Sequence, residues 1–264
     1  MNRARGRTSA APLFAATLLA AAMLCATAAR AATPGPVPRI EGFNFSGAWE
    51  DPFPPEILRP AGTPTPPPEV PPPPLKEPWA SEVRARQKAA AEATARGETA
   101  VGGGVRCIPG GFPSMMKAVF PIEVLQSPGQ VTIIQEAFGQ VRRIYLNEKQ
   151  IAVEDAEPLF WGHSVGRWEG NTLIVNTIGL KENVRMGGVP HSANMRVDER
   201  IVVTSPDTWE DHITITDPEY LTKPWSWTYK YNRAKGYKIN EFVCEDNRIY
   251  EDPETGKAKL RLGE

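Results

Sequence analysis

The sequence predicts a mainly β protein, an antiparallel up-and-down barrel preceded by an N-terminal proline-rich strap and one short helix. Three observations predict it. Beyond Cys107 the apolar residues recur with a period of two rather than 3.6. No stretch between these runs is long and helical enough for a βαβ crossover, which excludes doubly wound and TIM architectures. The run Trp225-Ser226-Trp227-Thr228-Tyr229-Lys230-Tyr231 is aromatic at every odd position and polar at every even one, so a strand here presents a ladder of Trp225, Trp227, Tyr229 and Tyr231 to something apolar.

The first element is an address. Arg3, Arg5 and Arg7 precede an apolar run from Ala10 to Ala29 that ends in Ala29-Arg30-Ala31, the pattern of a secretory signal peptide over residues 1–31. Met23-Leu24 before Cys25 lacks the small residue that lipid attachment needs, and the Ala-rich run with its cleavage site reads as cleaved rather than as an anchor. The expected location is therefore the bacterial periplasm or the medium, with no stable membrane insertion after cleavage. The full chain balances 30 Lys+Arg against 31 Asp+Glu; cleavage removes four arginines and no acid, which leaves a mature charge of −5 and argues against nucleic acid as a partner. Cys107 and Cys244 then remain as an even pair in an oxidising compartment, where a disulfide is the expectation.

Residues 32–77 form the strap: 16 of the 27 prolines lie between Thr33 and Pro78, which makes it extended and poor in backbone donors. Within it Phe43 to Glu50 alternates and ends in Gly47-Ala48-Trp49, a first strand near 43–50. Residues 78–97 read as a helix opened by Pro78 and stopped by Gly97, docked by Trp79 and Val83 and otherwise Ala or charge. The barrel occupies 98–250, with apolar runs at 131–138, 144–146, 172–178, 197–203 and 213–216, and 251–264 is a C-terminal tail. Gly170-Asn171 is a hairpin turn, and Asn232 to Gly236 is expected to be another, leading into a last strand through Tyr237, Ile239, Glu241 and Val243. Seven or eight such strands close around an interior wide enough for one small ligand.

Several motifs carry a resemblance: Pro73-Pro74-Leu75-Lys76, Cys107-Ile108-Pro109-Gly110-Gly111, Gln140-Val141-Arg142-Arg143-Ile144-Tyr145, Gly162-His163-Ser164-Val165-Gly166-Arg167-Trp168-Glu169-Gly170-Asn171-Thr172-Leu173, Pro190-His191-Ser192, Glu199-Arg200, Asp217-Pro218 and Lys223-Pro224-Trp225. Over Pro72 to Glu245, about two thirds of the chain, the sequence resembles a family of secreted proteins of Gram-negative and acidobacterial genomes described as hypothetical or as domains of unknown function. The resemblance implies secretion and a shared β fold and brings no reaction with it. The family's Asp stands as Asn171 here, so no carboxylate role transfers to that turn. The Gly-x-Trp piece also resembles the opening of lipocalin-like barrels.

For chemistry, the three histidines His163, His191 and His212 stand at no metal-ligand spacing, and no cofactor or metal is expected. His163 and His191 sit in His-Ser pairs beside turns, where an imidazole can act as acid or base or simply bond its own backbone. His212 alternates with Ile213 and Ile215 and is expected to face solvent. Glu199 and Glu136 each share a face with apolar residues, so either carboxylate can point inward, where it needs a partner such as Arg142, Arg143, Arg196 or Arg200. No serine-hydrolase elbow, nucleotide loop or Cys-x-x-Cys is present.

Two main readings follow, with a third beside them. The first is binding of a small apolar or aromatic molecule in the barrel, with Trp225, Trp227, Tyr231, Arg143 and Tyr145 as ligand-binding residues. The second is a cofactor-independent lyase, isomerase or hydratase with His163, His191, Glu199 and Tyr229 as catalytic residues, which requires these groups to converge at a cavity. The third is an envelope interaction module whose working part is the strap. The sequence leaves the oligomeric state open.

Overall fold

Strand propensity and turn chemistry decide the barrel locally, and closure of the ring decides the rest. The computed structural model describes residues 46–50, 70–96, 107–117, 120–182, 184, 188–244, 249–256 and 258–260. The signal peptide, most of the strap, Phe43 to Phe45 and Gly97 lie outside the described residues. The barrel strands are β1 (Gly47–Glu50), β2 (Ile122–Ser127), β3 (Gln130–Gln135), β4 (Gln140–Leu146), β5 (His163–Glu169), β6 (Thr172–Ile178), β7 (Arg196–Ser205), β8 (Thr208–Thr216) and β9 (Trp225–Arg233). They close in sequence order into one barrel, because β1 pairs with β2 on one side and with β9 on the other. This is the mainly β barrel that the sequence predicts, mostly antiparallel and lipocalin-like in architecture.

One pair departs from an all-antiparallel meander. β4 and β5 run parallel, with Ile144 opposite Ser164 and Leu146 opposite Gly166. A closed ring of nine strands cannot alternate direction all the way round, so at least one neighbouring pair has to be parallel. The consequence is the connection 147–162, which leaves one strand and returns to enter the next in the same direction along the outside of the barrel. Gln150 pins it there by donating from Nε2 to the carbonyls of His163 and Asn176, each at 3.1 Å.

The expected final strand does not form. Residues 237–243 have no strand geometry. The reason is that β1 already occupies the free edge of β9, with Trp49 opposite Arg233 and Glu50 opposite Asn232. The segment instead packs on the turn after β3: Tyr237 donates its hydroxyl hydrogen to Glu136, and the Phe242 ring lies 4.8 Å from that of Phe138. Cys244 then joins Cys107 in the expected disulfide. Near the C-terminus, β10 (Ile249–Glu251) pairs with β11 (Ala258–Leu260) in a two-stranded hairpin.

The closing seam is built on Trp49, which is fully buried. Its ring meets Trp209 edge to face at 6.0 Å, and the Arg233 guanidinium lies 4.1 Å over it. Gly47 takes φ +127, a backbone conformation that L side chains rarely adopt, and a Cβ there would stand 2.9 Å from Arg233 Nη1. Among the described residues no helix is long and apolar enough to cross a membrane.

The helix α1 (Trp79–Ala95) buries Val83 and sets Trp79 against Tyr220 with ring centroids 4.4 Å apart, while most of its other side chains are small or polar and exposed. The strap residues before it are held through their carbonyls, since proline has no N–H to donate. Trp225 Nε1 donates to Pro71 O at 2.8 Å, Thr222 N donates to Pro74 O at 2.8 Å, and Lys76 N donates to Tyr220 O at 2.8 Å. Strap and helix thus roof the barrel end at which β9 begins.

Truncating the seam residue tests the closure. Trp49→Ala is expected to cost about 3–5 kcal/mol of stability, read from urea unfolding, since it empties a fully buried indole site at the junction of β1, β2 and β9. A loss under about 1 kcal/mol would show that β1 does not close the ring in solution.

Candidate functional site

The inward face of each strand follows from its alternation, and the faces divide the interior into a polar centre and an aromatic mouth. At the centre stands Arg142 of β4, 1% exposed and 0% exposed in its side chain. Its Nη1 donates to Glu199 Oε1 at 2.8 Å and its Nη2 to Glu199 Oε2, a two-pronged ion pair across the barrel to β7. The remaining donors reach Ser164 Oγ at 3.2 Å, Thr177 Oγ1 at 3.0 Å and Met116 Sδ at 3.8 Å. All five guanidinium N–H groups are therefore directed at acceptors, as a buried arginine requires. Its flat face covers the Phe112 ring at 3.7 Å.

Asp211 of β8 lies beside this pair and is fully buried. Neither of its carboxyl oxygens meets a protein N–H or O–H donor. Its neighbour is the Glu199 carboxylate, and two acceptors can share a hydrogen bond only if one holds a proton. Burial first, and the Glu199 charge second, raise the Asp211 pKa well above its ordinary 3.8, against the opposing pull of Arg142. Both causes favour the neutral, protonated form of Asp211. The alternation Trp209, Asp211, Ile213, Ile215 in the sequence already carried this signal, since the parity that turns His212 outward turns Asp211 inward.

Part of the barrel interior is filled by the chain itself. Residues 110–117 enter its mouth as a plug, with Phe112, Met115 and Met116 at 0–1% exposure. Gln140 Oε1 accepts from Gly111 N at 2.9 Å, and Tyr231 donates its hydroxyl hydrogen to Met116 O. Tyr231 also stacks on Trp209 at 3.7 Å, so this lowest rung of the aromatic ladder is part of the packed interior.

The open space lies above the plug, as a groove of about 620 Å³. Trp225, Trp227 and Tyr229 form its barrel wall. Val70, the prolines 71–73 and Leu75 of the strap form the second wall. Ala80, Val83, Arg84 and Gln87 of α1 close it from above, and Pro113, Ser114 and Lys117 of the plug form its floor. Trp225 and Trp227 are 4.9 Å apart at an interplanar angle of 53°, and Trp227 and Tyr229 are 6.0 Å apart at 74°. Such a tilted ladder offers both ring faces and ring edges to a ligand.

The other candidate residues do not come to this groove. Arg143 and Tyr145 alternate with the inward Arg142 and Ile144 and stand on the outer face of β4. His163 stacks on Tyr145 there at 5.8 Å, with Nδ1 2.8 Å from Gln150 Oε1. His191 is buried, its Nδ1 2.9 Å from Ser192 O and its Nε2 2.9 Å from Lys181 O, and it holds the loop before β7. Glu199 is taken up by Arg142 and Asp211. Glu136 does share a parity with Ile134, but that is the outer face of β3, since Val131, Ile133 and Gln135 take the buried positions. Tyr229 alone links the two regions, as it lines the groove and faces Asp211 across the strand pair. His212 lies on the outer face, half exposed, with Nδ1 2.9 Å from Thr228 Oγ1. Among the described residues no cluster of three or more His, Cys, Asp or Glu side chains could hold a metal ion.

Compared with protein-family models, curated proteins and solved structures, the chain matches none. The geometry of the groove is therefore the basis on which a function is read.

The buried acid has a consequence for stability. Between the ordinary carboxyl pKa of 3.8 and the raised folded value, the native state keeps a proton on Asp211 that the unfolded chain has released. This contribution is fully present below pH 3.8 and is lost as pH rises toward the folded pKa, at about 1.4 kcal/mol per pH unit. Asp211→Asn supplies a donor to Glu199 that does not titrate and is expected to flatten this decline in urea midpoints measured from pH 4 to 8. Parallel profiles for the two proteins would remove Asp211 as its source.

Proposed function

We propose that the protein binds one small apolar or aromatic molecule in the groove at the barrel mouth, outside the cytoplasm. The observation that carries this reading is the groove itself: a single concave space of about 620 Å³, walled by Trp225, Trp227 and Tyr229 and faced by prolines, with a few polar groups at its rim. Ligand sites of this size are typically apolar with a small number of orienting polar side chains. The Cys107–Cys244 disulfide supports an oxidising compartment, and the signal-like residues 1–31 support export to the periplasm or beyond.

Acid–base catalysis by His163, His191, Glu199 and Tyr229 has less support. Two of the four are bound elsewhere by their ring nitrogens and the third is consumed in the central ion pair. The strap as a partner-binding element also has less support, since its residues 71–76 are already engaged with the barrel.

Titration with the neutral fluorophore N-phenyl-1-naphthylamine tests the reading. One equivalent is expected to bind with enhanced emission. Ala80→Phe, which fills the groove from α1 without disturbing the core, and Trp227→Ala, which removes a wall, are each expected to weaken binding by about tenfold or more. Binding that is unchanged in both variants would place the apolar site elsewhere.

A further inference from the structure

We infer that the molecule held in the groove is a flat aromatic carboxylate, with its ring between the strap prolines and the Trp227–Tyr229 wall and its charge at Lys117 and Arg84. This rests on the reading of the groove as a binding site. The charge pattern is what extends it. The sequence has an acidic excess once the signal segment is set aside. Yet the groove lining contains two cations, Arg84 and Lys117, and no aspartate or glutamate. Two cations and no acid among otherwise largely apolar walls in an acidic protein select for a ligand with an apolar body and an anionic end.

The two cations are not equivalent. Arg84 Nη2 is 2.9 Å from Glu77 Oε1 and 2.8 Å from Ser81 Oγ, so its charge is partly met within the helix. Lys117 follows the plug turn Ser114–Met116 and is exposed. The floor and the roof thus each place a cation at the rim, and the fork of a guanidinium suits a planar carboxylate. The shape of the walls argues for a flat body rather than an alkyl chain. Proline rings on one side and tilted indole and phenol rings on the other form a slot that a ring system fills with face and edge contacts.

Isothermal titration calorimetry with 2-naphthoate, 2-naphthamide and decanoate separates the possibilities. The naphthoate is expected to bind at least threefold to fivefold tighter than the uncharged naphthamide, as a partly exposed ion pair allows. It is also expected to bind more tightly than decanoate. Lys117→Gln, with Arg84→Gln in the same chain, is expected to erase the difference between naphthoate and naphthamide. Raising the salt concentration is expected to do the same. Equal affinities of the acid and the amide in the unaltered protein would overturn the anionic end and leave the apolar groove standing. Tighter binding of decanoate than of naphthoate would overturn the aromatic body. A failure of all three ligands to bind would sink the reading of the groove itself.

Discussion

Arg142 places a full charge at the centre of a small barrel, and much of the structure is arranged around the need to satisfy it. The guanidinium cannot be left unpaired in an apolar interior. Glu199 comes from β7, Ser164 from β5 and Thr177 from β6, so the registers of these strands are tied to one side chain on β4. A slip of one residue in any of them would turn an acceptor to the outside and leave a buried donor without a partner. The plug is seated by the same group, since Phe112 lies under the guanidinium and Met116 beside it. Burial, and then the charge of Glu199, raise the pKa of Asp211 beside it. The geometry of this buried network specifies a single arrangement of strands.

The groove is a by-product of this filling. Trp49, Trp209, Tyr231 and the plug fill the lumen below, and the upper rungs Trp225, Trp227 and Tyr229, buried in the same core, also line the groove that the strap and α1 share with the barrel. The strap can do this with few donors of its own because Trp225 and Thr222 supply the N–H groups that its proline carbonyls accept. The space that remains among ladder, strap, helix and plug is apolar on most sides and cationic at its rim.

How far the site was legible depends on the distance over which each signal acts. The ladder Trp225, Trp227, Tyr229, Tyr231 was visible because alternation is a local property of a strand. The same parity placed Glu199 inward and His212 outward, and it would have placed Asp211 inward as well. It also assigns Arg143 and Tyr145 to the outer face once Arg142 is known to point in, but which of two adjacent arginines is buried is not a local question. The turn histidines His163 and His191 gave no usable signal, because a backbone-bonding imidazole and a catalytic one follow the same sequence pattern. The plug carried none either: Phe112, Met115 and Met116 stand in a short irregular segment with no periodicity to read.

The sequence by itself determined the β period, the Gly170-Asn171 hairpin turn, the inward aromatic face and the pairing of Cys107 with Cys244, each fixed by neighbouring residues or by composition. The tertiary structure alone decided the number of strands and everything that follows from it. Nine strands make one pair parallel, send residues 147–162 along the outside with His163, and use the edge of β9 for β1 rather than for residues 237–243. Ring closure is a condition on the whole chain, and no window of the sequence contains it.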